Sequence, residues 1–119
     1  MAYFIDIPQF SDSTGNLCVI ENLIPFVIKR IYYIFDVTDE RGGHRHKKTE
    51  QALICLSGGC EVFVNNGKKE EAFKLTKPNK CLILESRDWH TMNDFSSSAT
   101  LLVLASEYYD KNDYIHECY

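Results

Sequence analysis

Apolar residues along the chain fall in short runs broken by turn residues, with little of the three-to-four spacing of an amphipathic helix. The runs are NLCVIE (16–21), FVIKRIYYIFDV (26–37), QALICLS (51–57), CEVFVNN (60–66), KCLILES (80–86) and ATLLVLAS (99–106). They are rich in Val, Ile, Tyr and Phe, which suit a pleated, half-buried surface. In CEVFVNN, Val62 and Val64 take one side and Glu61 and Phe63 the other. Between the runs lie SGG (57–59), NNGK (65–68), KPN (77–79) and FSSS (95–98). Asn66-Gly67 predicts a two-residue hairpin with positive φ angles. Several runs are apolar on both sides, as strands are when both faces are covered. The pattern predicts one all-β domain over residues 1–119, an antiparallel sandwich or barrel. The stretch YYDKNDYIHECY (108–119) reads as a short helix or an irregular tail.

Length and composition agree with one folded domain. The chain has 119 residues, 45% hydrophobic and 25% charged, enough to bury a core. Its formal net charge of −4 argues against general nucleic-acid binding, which needs a cationic surface. No stretch approaches the length of a membrane span, and MAYFIDIPQF lacks the basic and apolar regions of a signal peptide, so a cytoplasmic protein is expected. Cys18, Cys55, Cys60, Cys81 and Cys118 form no C-x-x-C pair and are odd in number. They are expected to be free thiols, the middle three buried.

Candidate chemistry centres on RGGHRHKKTE (41–50). Residues two apart on a strand face the same way, so an extended 44–46 projects His44 and His46 together and turns Arg45 away. Two readings stand side by side. His44, His46 and Glu50 have the H-x-H-x-x-x-E form of the first metal motif of cupins, with His90 in DWHTMND as a fourth ligand; the Pro and Gly usual before that histidine are missing. Alternatively the imidazoles carry protons, since the group titrates near neutrality and can take a proton in one step and return it in the next. In IKRIYY (28–33), Arg30 and Tyr32 share the more polar parity and are expected to line a cavity. Arg30 and Arg41 together suit a phosphate or diphosphate, which a planar guanidinium grips well. Trp89 reads equally as an aromatic wall or as core, and Glu85 and Asp94 as groups orienting histidines or as solvated charges.

The ordered set R-G-x-H-x-H-K-K, W-H-x-M and L-A-S-x-Y-Y-D resembles the sugar-nucleotide 3,4-ketoisomerases of the cupin superfamily, over residues 12–115. Gly43, Arg45 and Thr14 depart from that family's pattern, which usually has a bulky residue at the first, often Ala at the second and often Arg at the third. The resemblance implies a cupin jelly roll that needs no cofactor and no metal. It also implies homodimers, sometimes with exchanged amino-terminal strands. The implied substrate is dTDP-4-keto-6-deoxyglucose, whose carbonyl moves from carbon 4 to carbon 3 through an enediol, with a lean towards the galacto product. A pathway aminotransferase would then make a 3-amino-3,6-dideoxy sugar. In that frame His44 and His46 are the catalytic pair, while Arg30, Tyr32, Arg41 and His90 hold the substrate. A metal-dependent cupin enzyme, a 3,5-epimerase-like cupin and a non-catalytic sugar-nucleotide-binding cupin are the alternatives.

Overall fold

The computed structural model describes all residues, 1–119. Twelve strands run in order: β1 (Tyr3–Asp6), β2 (Gln9–Asp12), β3 (Gly15–Cys18), β4 (Arg30–Phe35), β5 (Arg41–His46), β6 (Gln51–Ser57), β7 (Cys60–Asn65), β8 (Glu70–Leu75), β9 (Lys80–Leu84), β10 (Trp89–Asn93), β11 (Thr100–Ala105) and β12 (Tyr114–Ile115). They make two five-stranded antiparallel sheets, β1-β9-β6-β11-β4 and β12-β5-β10-β7-β8, plus a separate β2-β3 hairpin. The all-β expectation holds. No helix is long and apolar enough to cross a membrane.

The main core lies between the sheets. Leu53, Leu82, Leu84, Leu101 and Val103 from the first sheet meet Val62, Val64, Phe73, Leu75 and Met92 from the second. Val62 and Val64 point inward, as their alternation predicts. The first sheet is also covered on its outer face. Ala52, Ile54, Cys81, Ile83 and Leu104 pack there under Ile7, Leu23, Ile24 and Phe26. That second layer is why QALICLS and KCLIL are apolar on both parities. Fully burying each large aliphatic side chain contributes roughly 1.5–3 kcal/mol, so these two layers dominate the stability. All five cysteines are free, and Cys55, Cys60 and Cys81 are buried as expected.

Four details depart from the sequence reading. The run 26–37 is extended only over β4, and 16–21 only as far as Cys18. The β7–β8 connection is a four-residue turn, not a two-residue one: Asn65 pairs with Glu70, and the Asn66 amide donates to the Lys69 carbonyl at 3.1 Å. Only Gly67 of the Asn-Gly pair has positive φ; the Asn66 side chain instead accepts from the amides of Lys68 and Lys69. Residues 108–119 hold one 3-10 turn, Lys111–Asp113, followed by β12. β1, β2, β8 and β10 lie outside the predicted runs. β8 hides its two buried residues, Phe73 and Leu75, within the charged string KKEEAFKL.

Candidate active site

His44 and His46 stand on β5, the strand between β12 and β10. Their rings lie on one face, centres 5.0 Å apart and nearly perpendicular, while the Arg45 guanidinium goes the other way, against Tyr119. β10 brings His90 directly opposite His44, with ring centres 5.0 Å apart. Tyr114, opposite His46 on β12, fills the remaining side: its ring centre is 4.7 Å from both His44 and His46.

A bulge makes this face into a site. His44 pairs with His90, but the next partner of β10, Thr91, pairs with Gly42, so Gly43 is an extra residue in β5. Such an insertion bends the strand and re-aims its side chains. Residues 41 and 44 would face opposite ways on a regular strand. With the bulge, Arg41, Gly42 and His44 all line one cavity of about 360 Å³. Both glycines are at positive φ, +86° at Gly42 and +80° at Gly43. At Gly42 a Cβ would also lie 2.9 Å from the His90 carbonyl oxygen. The opposite wall comes from β4. Arg30, Tyr32 and Ile34 face the cavity, while Ile31, Tyr33 and Phe35 face outward, as the parity reading predicts. Arg30 lies over the rings of Tyr32 and Tyr109, at 5.4 and 5.7 Å from their centres.

Burial sets the electrostatics. It pushes His44 down to about 4, with help from His90. His46 is pushed to about 4 by burial and then by His44. His90 is held at about 4 by burial, against the raising effect of its hydrogen bond with Asp88. All three imidazoles are therefore neutral at pH 7 and can accept a proton. His90 Nδ1 is 3.0 Å from the Asp88 carbonyl, so it carries the hydrogen and leaves Nε2 with its lone pair. Tyr32, which accepts from Gln51 Nε2 at 2.8 Å, is pushed up to about 12, chiefly by burial. It remains a phenol, able to donate.

The remaining candidates fall elsewhere. His46 and His90 are 4% and 1% exposed and do not line the cavity, so only His44 of the three presents its ring there. Glu50 does not complete a ligand set, since no three His, Cys, Asp or Glu side chains are grouped to hold a metal ion. Glu85 pairs with the Met1 ammonium and Arg87, and Asp94 lines a groove with residues 37–40; neither orients a histidine. The Trp89 indole donates to the His116 carbonyl at 3.0 Å, away from the cavity. Sequence reasoning missed Asp113. Its carboxylate accepts from the amides of Lys48 and Thr49 and from the Thr49 hydroxyl, tying the end of β5 to the 3-10 turn. Burial raises its pKa, but those hydrogen bonds and the nearby His46 more than offset this, and the carboxyl stays low. It also missed Tyr114 and Tyr109 as cavity walls; both lie in or just after the L-A-S-x-Y-Y-D motif.

Two five-stranded antiparallel sheets, with an imidazole pair on a bulged strand beside a cavity that also holds two guanidiniums, make a cupin-type site. The family described as "FdtA: WxcM-like, C-terminal" matches residues 2–119. A TDP-4-oxo-6-deoxy-α-D-glucose-3,4-oxoisomerase of Aneurinibacillus thermoaerophilus is 46% identical over 117 residues, covering 95% of this chain and 84% of that one. A mutant of the 3,4-ketoisomerase QdtA from Thermoanaerobacterium thermosaccharolyticum, solved in complex with TDP-4-keto-6-deoxyglucose, superposes with TM-score 0.93 at 40% identity, covering 98% of this chain and 87% of that one. A dTDP-6-deoxy-D-glucose-3,5-epimerase from Legionella pneumophila shares the fold at 12% identity, TM-score 0.81, over 95% of this chain and 70% of that one. The chain belongs to the FdtA family of cupin-fold sugar 3,4-ketoisomerases and is an isomerase.

Proposed function

We propose that the enzyme moves the carbonyl of TDP-4-keto-6-deoxyglucose from carbon 4 to carbon 3, with His44 as the proton carrier. The single observation that carries this reading is the cavity's lining. One neutral imidazole, His44, shares it with two guanidiniums, Arg30 and Arg41, and a protonated phenol, Tyr32. The likeness to relatives named for that substrate supports it.

His44 removes the proton on carbon 3, and the electrons of that C–H bond form a C3=C4 double bond while the carbonyl electrons move onto oxygen 4. The same imidazole returns the proton to carbon 4, the adjacent atom, and the carbonyl forms at carbon 3. Oxygen 4 gains the proton that oxygen 3 loses. Tyr32 donates to the developing oxyanion, and Arg30 and Arg41 neutralise the diphosphate and hold the sugar in place. His46 packs against the rings of His44 and Tyr114 without lining the cavity, and so orients His44 rather than touching the sugar. His90 fixes the His44 ring from beneath. We carry the galacto configuration as the expected product, which feeds a 3-aminotransferase.

A homodimer belongs to the same reading. The edge strand β4 exposes Ile31, Tyr33 and Phe35 at 60, 65 and 57%, and the β2-β3 hairpin exposes Phe10 and Leu17. A second copy of the chain is their expected cover. Five free thiols and an activated nucleotide substrate suit a cytoplasmic enzyme.

The test is incubation with TDP-4-keto-6-deoxyglucose and a 3-aminotransferase, with and without chelator, followed by product NMR. A 3-amino sugar formed equally in both supports the reading. His44→Asn should abolish solvent-deuterium incorporation at the sugar carbons while remaining folded. Near-normal exchange in that variant removes His44 from the role of base. Loss of activity with chelator, restored by a divalent ion, would replace the metal-free mechanism.

A further inference from the structure

Tyr114 owes its place to a strand too short to hold itself. β12 is two residues long and pairs only as Tyr114 with His46 and Ile115 with Arg45. Ordering each backbone residue costs about 1–2 kcal/mol, whereas a net hydrogen bond returns about 1. The ladder alone does not keep the Tyr114 ring against the imidazoles.

Asp113, just before β12, anchors the start of the segment to the Lys48 and Thr49 amides, and side chains further along hold its other end. The Tyr119 ring lies flat enough to Arg45 that the guanidinium carbon is 4.3 Å from its centre. Its hydroxyl donates to the Arg87 carbonyl at 2.7 Å. The ring rests on the β7–β8 turn at Gly67, where a Cβ would meet its carbons at 2.9–3.1 Å. Between these points the Trp89 indole holds the His116 carbonyl. Arg45 is the residue between the two histidines, and it faces away from them. The residue that separates His44 from His46 is therefore gripped from outside by the same segment that covers them from inside.

We propose that Tyr119 is a positioning residue: by clamping Arg45 and the Arg87 carbonyl it locks residues 114–119 across β5 and seats Tyr114 as a lid over His44 and His46. This rests on His44 being the proton carrier. The lid then has a chemical consequence. A proton held on His44 between leaving carbon 3 and reaching carbon 4 either completes the transfer or is lost to water. Tyr114 shields it from water on one side.

The experiment is turnover of TDP-4-keto-6-deoxyglucose in D2O, with kcat, KM and deuterium per product measured by mass spectrometry. Wild type, Tyr119→Ala, Tyr119→Phe and Arg45→Met are compared. In Tyr119→Ala, kcat should fall about tenfold with KM within about twofold, because a small misplacement affects the chemical step more than substrate binding. Deuterium per turnover should rise. Tyr119→Phe keeps the ring on the guanidinium and should recover most of both, and Arg45→Met should reproduce the Ala variant in milder form. Should Tyr119→Ala not fold, Arg45→Met and Tyr119→Phe carry the test. A variant with a lower melting temperature but unchanged kcat and labelling would overturn the proposal, leaving Tyr119 merely structural. Complete solvent labelling in the wild type would also overturn it, since the lid would then exclude nothing. Retained exchange in His44→Asn would instead indict the assignment of the base.

Discussion

Gly42 and Gly43 are adjacent, both at positive φ, and differ in their surroundings, so substituting each in turn separates two physical effects. An alanine at either must sit in the left-handed region, which costs roughly 1–2 kcal/mol for a residue with a Cβ. Either substitution also lowers the entropy of the unfolded chain by an amount worth about 0.4–1 kcal/mol, which is the same at both and cancels in the comparison. At Gly43 the added methyl meets nothing within 4 Å. At Gly42 it lies 2.9 Å from the His90 oxygen and 3.3 Å from the Thr91 Cα, both backbone atoms that no rotamer change can move. Overpacking of this kind adds about 1–3 kcal/mol. Gly42→Ala should therefore be less stable than Gly43→Ala by about 1–3 kcal/mol. For a domain of this size that is a further fall in Tm of very roughly 4 °C per kcal/mol. The shift also pushes β10 from β5 between Arg41 and His44. Gly42→Ala should lose at least about tenfold in kcat/KM while still folded, and Gly43→Ala only a few-fold. Urea unfolding and steady-state kinetics at 20 °C read both quantities. Equal destabilisation by the two alanines would refute the contact argument, and a Gly42→Ala enzyme with normal kcat/KM would refute the bulge as the device that aims the site.

Other outcomes are open to measurement. Tyr32→Phe should lower kcat by about tenfold or more and leave buried Gln51 Nε2 without its partner, a stability loss of about 1–3 kcal/mol read by denaturation. Because His44, His46 and His90 are neutral in the fold down to about 4 but have ordinary values near 6.5 when unfolded, the unfolded chain binds more protons between those limits. Stability should hold above pH 6.5 and decline as pH falls towards 4; a urea midpoint flat from pH 6.5 to 5 would contradict the burial of the trio. The acid limb of kcat/KM, which reports the free enzyme, should lie near pH 4, and that of kcat should lie higher, because the bound diphosphate favours an imidazolium nearby; coincident limbs would show that the diphosphate does not reach His44 electrostatically. Arg41→Ala should raise KM for the TDP-sugar about tenfold or more with a smaller change in kcat, whereas a change confined to kcat would move Arg41 from binding to chemistry.

What could be read from the chain divides along a physical line. Period-two patterns are local, so β4 displayed its cavity face, Arg30 and Tyr32, and β5 displayed the shared face of His44 and His46, without any knowledge of neighbours. Apolar residues on both parities of β6 and β9 foretold a second covering layer, because a sheet face left in water would be polar. Features that depend on a partner distant in sequence were not visible. Nothing local shows that Gly43 is the extra residue opposite the His90–Thr91 step, so Arg41 joined the cavity by a route that simple alternation forbids. Asp113 reads as an ordinary charge until the fold brings Thr49 and the Lys48 amide to it. His90 reads as a cavity residue because it stands where a second cupin motif would place a histidine, yet pairing with β7 on its other side buries it.

That burial bears on how the site works. A base held near 4 is weak in the free enzyme, and a weak base is a poor match for a proton on carbon. Its weakness comes first from burial and then from His90; a docked substrate deepens the first, so any gain in basicity must come from the negative charge it carries. In the reading argued above, a diphosphate bound by Arg30 and Arg41 brings negative charge into the same dry cavity, and the enediolate adds more as the proton leaves carbon 3. Both favour the imidazolium, and both act at short range in a medium that screens them poorly. The stack of buried rings then makes His44 responsive: unprotonated at pH 7 while the cavity holds only solvent, and progressively more basic as the substrate docks and reacts. An exposed histidine titrating near 6.5 would be partly protonated in the free enzyme and less sensitive to the arriving charge. On that reading, packing His46, His90 and Tyr114 around His44 would trade ground-state basicity for a stronger response to the reacting sugar.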